Sequence, residues 1–138
     1  MALLLLRHAH AGDREMWQED DRERPLDERG HEQARRLVDE LAAYPVEAIL
    51  TSPYVRCVQT VEPLAAARGL TLELRDELGE ERQHTDGVRL VRELAGREVV
   101  VCGHGGLEWD IVHEAPKWKK GAVFVLGPQL ELLDTFRV

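Results

Sequence analysis

The amino-acid sequence predicts a three-layer α/β sandwich, a mostly parallel central sheet flanked by helices, in a single domain over residues 1–138. Three observations carry this reading. The runs Leu3-Leu4-Leu5-Leu6, Ala48-Ile49-Leu50 and Val99-Val100-Val101-Cys102 are too short for free-standing amphipathic helices, and their unbroken apolar character marks strands buried on both faces. Segments with apolar residues at helical spacing lie between them, so strands and helices alternate. The first and last of these runs lead into Arg7-His8-Ala9 and Gly103-His104-Gly105-Gly106, histidines at strand ends where open α/β sheets bind ligands.

Taken in order, the first strand ends in Arg7 and His8, and the polar stretch from Gly12 to Arg24, with Met16 and Trp17 its large apolar side chains, is expected to lie as a loop over that end. Asp27 is placed to cap a helix carrying Ala34, Leu37, Val38 and Leu41 on one face and mostly charged residues on the other, ended by Tyr44-Pro45. The second strand, Ala48 to Thr51, delivers the chain to Ser52-Pro53. Pro53 suits a first helical turn, and Val55, Val58, Val61, Leu64 and Ala65 continue an apolar face to Gly69. Pro63 inside that helix removes a backbone donor and crowds the preceding turn, which predicts a kink or a division. Leu70 to Leu74 alternates and reads as a more exposed third strand. The acidic segment Asp76 to Glu81 leads into a helix with Val88, Val91 and Leu94 on its apolar face, closed by Gly96. After the Val99 strand, Leu107 to His113 reads as a short helix. Ala122 to Leu126 and Leu130 to Phe136, around Gly127-Pro128-Gln129, form a terminal hairpin.

The 138 residues suffice for a core without disulfide or metal staples. Lys and Arg number 18 against 26 Asp and Glu, a formal net charge of -8. That balance argues against a nucleic-acid surface, which needs cations to neutralise phosphates, so any phosphate binding must be local. Cys57 and Cys102 have neither zinc-site nor disulfide-framework spacing and read as free buried thiols in a reducing compartment. No apolar run approaches the roughly 18 residues of a membrane span. The opening leucines lack a basic leader and a small-residue cleavage site, so a cytoplasmic location without membrane partners is expected.

Two histidines at the ends of separate buried strands converge only if those strands are neighbours in the sheet. Arg7 stands beside one of them, and Arg56 opens the helix after the second strand, so both guanidinium groups can reach the same sheet edge. Two cations and two imidazoles make a seat for a dianion, with backbone N–H groups after Pro53 and Gly105 as further donors.

These residues, in order, resemble the motifs of the histidine phosphatase superfamily, the phosphoglycerate mutase-like group. The resemblance rests on Arg7-His8-Ala9, Thr51-Ser52-Pro53 with Arg56, Gln59 and Thr60, the acidic segment with Glu77, and Gly103-His104-Gly105-Gly106. It is closest in kind to the small bacterial phosphohistidine phosphatases, and the run Val55 to Ala65 also resembles the phosphatase half that follows a Nudix domain in certain two-domain nucleotide hydrolases. The resemblance implies a phosphoglycerate mutase-like fold and a phosphatase that works through phospho-His8. Arg7, Arg56 and His104 would hold the phosphoryl oxygens, Gly105 would line the substrate site, and Glu77 would be the acid, with Glu80 second and Asp13 third. It implies no cofactor and no metal, because the arginines neutralise the phosphoryl group.

The family's usual glycine after the first histidine is Ala9 here, as phosphatase branches accept, and the acidic segment lacks the tryptophan-containing continuation of the larger members. The substrate so implied is a phosphohistidine on a partner protein. A small phosphate monoester or nucleotide is the alternative, and a phosphate or phosphoprotein binding module without turnover is a reading of another class. A metal hydrolase built on His8, His10 and His104 would lack a matching carboxylate pair. His10, His31, His84 and His113 read as surface or structural residues, Trp17 and Trp109 as packing, and Lys117-Trp118-Lys119-Lys120 as a solvated basic patch.

Overall fold

The computed structural model describes residues 2–138. Six strands form one sheet: β1 (Leu3–Arg7), β2 (Ala48–Thr51), β3 (Glu73–Leu74), β4 (Val99–Gly103), β5 (Ala122–Leu126) and β6 (Leu132–Arg137). Their order is β3-β2-β4-β1-β5-β6. The pairs β3 with β2, β2 with β4 and β4 with β1 are parallel, whereas β5 pairs antiparallel with both β1 and β6. The sheet is therefore mixed, with its parallel half holding the strand ends of interest.

Four helices cover it: α1 (Glu28–Glu40), α2 (Val55–Arg68), α3 (Val88–Glu93) and α4 (Leu107–Ile111). Side chains alternate across a strand, so the apolar runs feed two cores at once. Leu4, Leu6, Ile49, Val100, Cys102, Val123 and Val125 pack under α1 and α2 with Leu37, Val61 and Leu64. Leu3, Leu5, Leu50, Val99, Val101 and Phe124 pack on the other face with Val88, Val91, Leu107 and Trp118. This double burial is why the strands carry no polar alternation.

Asp27 caps α1 as its position predicts, its carboxylate accepting the N–H of Gly30 at 2.8 Å. Several local expectations need correction. Pro63 does not divide α2, which runs unbroken from Val55 to Arg68. Burial of Cys57, Val61, Leu64 and Ala65 on the sheet offsets the roughly 3 kcal/mol that an internal proline costs. Pro53 lies outside that helix, which begins at Val55. The third strand shortens from Leu70–Leu74 to Glu73–Leu74, because Leu70 and Leu72 turn onto the core under α1 and α2 instead of extending the ladder. A π-helical turn, Gln83–Gly87, precedes α3. Trp118 is no part of a solvated patch: it is 2% exposed and its ring lies 5.8 Å from that of Phe124. Among the described residues no helix is long and apolar enough to cross a membrane.

Candidate active site

The parallel strands β1, β4 and β2 end side by side and deliver His8, His104 and Ser52 to one edge. Arg7 pairs with Gly103 in register, and the N–H of His8 donates to the Gly103 carbonyl at 3.1 Å. The imidazoles of His8 and His104 consequently meet edge to face, 5.5 Å between ring centres. Adjacency of the two strands, the condition for convergence, is met.

Each of the two imidazoles is held by a hydrogen bond. His8 Nδ1 lies 2.7 Å from its neighbour's carbonyl, that of Ala9, which can only accept; Nδ1 therefore carries the proton and Nε2 the lone pair. Burial, with His104, Arg56 and Arg7 nearby, holds His8 well below the ordinary histidine range, so the ring is neutral near pH 7. Ser52 Oγ accepts the Tyr54 N–H at 3.2 Å and is hydrogen-bonded to His104 Nε2 at 2.9 Å. His104 Nδ1 is buried without a hydrogen-bond partner among the described residues. Tyr54 packs edge-on against His104, 4.6 Å between ring centres.

Arg7 donates from Nη1 to the Trp118 carbonyl at 2.9 Å, while its buried Nε has no partner among the described residues. Gly105 backs directly onto this guanidinium: a Cβ there would sit 2.7 Å from Arg7 Cζ. Arg56 is fully buried, its Nη2 donating to Glu80 at 2.7 Å and to the Asp21 carboxylate at 3.0 Å, its Nη1 to the Asp21 carbonyl at 2.8 Å. Arg7, His8, His104 and Gly105 line one cavity of about 290 Å³, with Arg14, Glu80, Gly106, Glu108 and Trp109. Arg56 does not line that cavity; it is bonded to Glu80, which does.

Glu77 is not brought to this cavity. It pairs with Arg75 at 2.7 Å, which holds its carboxyl below the usual range, and it faces a separate depression with Arg82, Asp86 and Arg89. Glu80 takes the position instead, its Oε2 3.6 Å from His104 Nδ1 and its carboxylate bound by Arg14 and Arg56. Asp13 is spent capping the turn Arg14–Met16. Two of the expected backbone donors are already engaged: the N–H of Gly106 donates to Glu108 Oε1 at 2.7 Å and that of Tyr54 to Ser52 Oγ at 3.2 Å. His10 pairs with Asp27 and does not join the two site histidines.

The motif residues Gln59 and Thr60 act as braces. Thr60 Oγ1 accepts the Ala9 N–H at 2.9 Å and Gln59 Oε1 accepts that of Leu26 at 2.8 Å. Sequence reading missed Gln83, which accepts from the His104 N–H and donates to the Gly105 carbonyl, both at 3.1 Å. It also missed Arg14 and Asp21. Their only signal was placement in the loop expected over the strand end, and nothing in the pattern near Gln83 marks it.

A neutral imidazole with a free ring nitrogen stands beside an arginine and a second imidazole at the carboxyl ends of parallel strands, an arrangement that can offer a lone pair next to a seat for an anion. The chain belongs to the histidine phosphatase superfamily (branch 1), whose family model matches residues 3–89. It is 34% identical, over 91% of its length, to the 8-oxo-(d)GTP phosphatase of Mycolicibacterium smegmatis, and it spans 44% of that relative. Its fold is similar to that of the protein histidine phosphatase SixA complexed with tungstate, with a TM-score of 0.82 at 20% identity over 99% of this chain and 97% of that one. SixA from Agrobacterium tumefaciens matches with a TM-score of 0.80 at 26% identity, again over 99% and 97%.

Proposed function

We propose that this phosphatase works through a phosphohistidine at His8 Nε2 and takes its phosphoryl group from a phosphohistidine on a partner protein. Nε2 attacks phosphorus, the bond to the leaving nitrogen breaks, and that nitrogen keeps the bonding pair as the lone pair of a neutral imidazole. Water then attacks phospho-His8, the N–P bond breaks, orthophosphate departs and His8 regains its lone pair. Arg7 and His104 hold the equatorial oxygens as charge shifts, where fixed donors lower the barrier most. Arg56 joins them as Glu80 exchanges its place for a phosphoryl oxygen. Glu80, freed at the cavity wall, is the group placed to protonate an ester oxygen; a phosphorylated imidazole leaves with less help.

The observation that carries this reading is the lock of Nδ1–H on the Ala9 carbonyl, which commits the Nε2 lone pair to the cavity side of a neutral ring. A protein-borne substrate is favoured by the short loop over the strand ends and by the likeness to SixA. A nucleotide is the second reading, favoured by the 34% identity with the 8-oxo-(d)GTP phosphatase.

The test is hydrolysis of an aryl phosphate with chelator present, wild type against His8→Ala, with phosphoenzyme trapped in parallel. Activity and an acid-labile, base-stable phosphoenzyme should both vanish in the variant. Unchanged activity in His8→Ala overturns the mechanism. A wild type that binds phosphate but turns over neither phosphohistidine protein nor nucleotide establishes a binding module instead.

A further inference from the structure

We propose that Trp109 is a specificity-determining residue that stacks on a planar nitrogen heterocycle carried by the leaving group. The inference rests on the phosphatase reading above and names what that site recognises beyond the phosphoryl group. Trp109 is 73% exposed, whereas Trp118 on the same side of the sheet is 2% exposed. The sequence suggested packing for Trp109, and that exposure removes the packing explanation. Single exposed apolar residues are ordinary on protein surfaces and need no function. Of the exposed large apolar side chains among the described residues, Met16, Leu74, Trp109 and Leu133, however, only Trp109 lines the cavity that holds His8.

Its place there is built. Trp109 sits in α4 directly after the His104 loop, its N–H donating to the Gly106 carbonyl at 3.2 Å. Gly106 has φ +104°, and a Cβ on it would lie 3.5 Å from Trp109 Cζ3 and 3.0 Å from the His84 ring. The indole edge therefore rests over the backbone one residue beyond Gly105, which itself backs onto the Arg7 guanidinium. The phosphoryl seat and the indole are neighbours on one loop.

Arg14, ion-paired to Glu80 at 3.0 Å, supplies a polar side to the cavity, and Trp109 supplies an aromatic side. At about 290 Å³ the cavity lies at the small end of the range for small-molecule sites, room for a phosphoryl group and a ring rather than a long leaving group. Heterocycles stack well on indole, and the contact tolerates differences in ring identity. Two sources share this chemistry: an imidazole bonded to phosphorus, and a nucleobase one sugar away.

Matched substrate pairs isolate the ring. N-phosphohistidine is compared with phosphoramidate, and guanosine 5′-monophosphate with ribose 5-phosphate, by kcat/KM in wild type, Trp109→Ala and Trp109→Phe. Trp109→Ala should lower the preference for the ring-bearing member by about 10-fold, mainly through KM, with Trp109→Phe recovering most of it. Loss confined to the first pair assigns the imidazole, and loss confined to the second assigns the base. An unchanged preference in both pairs, or equal losses within each pair, overturns the proposal. His8→Ala is measured on the same substrates: if it is inactive while Trp109→Ala keeps its preference, the stacking role alone fails. If His8→Ala is active, the phosphohistidine mechanism fails on its own account.

Discussion

Burial and positive neighbours act on His8 in the same direction, and the consequence is an imidazole that keeps its lone pair at neutral pH without a base to deprotonate it. The ring refuses a proton in the folded state until the pH is well below 6.5, its ordinary value. The acidic limb of kcat/KM should therefore fall below that value; a limb at or above it, measured across a buffer series, would show that His8 is not the titrating nucleophile. The same shift has a stability consequence of definite sign. In the unfolded chain His8 takes up a proton near pH 6.5 and in the folded chain it does not, so its contribution to stability is intact above that pH and is lost as the pH falls.

At the scale of elements, the β4–α4 loop does the most with the least material. Gly105 permits the Arg7 guanidinium to lie against backbone, while the Trp118 carbonyl and Gln83 hold the two sides of the contact. A methyl at position 105 cannot be accommodated at 2.7 Å from Arg7 Cζ, so the guanidinium must move. Gly105→Ala should cost about 10-fold or more in kcat/KM while leaving the far-ultraviolet circular dichroism unchanged; wild-type activity in that variant would mean that Arg7 is not held for phosphate. Helix α2 shows the complementary case, in which packing overrides a local rule. Its buried face carries Arg56, Cys57 and Thr60 to the site in spite of Pro63 one to two turns further along.

The whole molecule decides which carboxylate lines the cavity. Chain order alone made Glu77 the first candidate, but the sheet edge meets the Asp76–Leu78 turn so that Glu77 faces away and Glu80 faces His104. Glu80→Gln should slow turnover of alkyl phosphates by about 10-fold or more while affecting a phosphorylated imidazole much less, because only the ester oxygen needs a strong acid to leave. Glu77→Gln should stay within about twofold on both. Equal effects of the two variants on alkyl phosphate hydrolysis, read from steady-state kcat, would remove Glu80 from the role. Arg14 and Asp21 enter the site the same way, since a loop read only as polar closes over the strand ends through ion pairs to Glu80 and Arg56.

Sequence alone determined the strands, the helices between them and the two histidines that end β1 and β4. Unbroken apolar runs leave a strand few alternatives to burial on both faces, and a histidine at the end of such a run has to stand at the sheet edge. It also marked Arg7 and Arg56, because charged residues so close to buried strands need an anion or a partner. Only the tertiary structure decided the rest: the exchange of Glu77 for Glu80, the carboxylates covering Arg56, the burial of Trp118 and the exposure of Trp109. Those outcomes depend on hydrogen bonds and packing between residues far apart in the chain, such as Arg7 with the Trp118 carbonyl and Gln83 with His104, and no local periodicity encodes them.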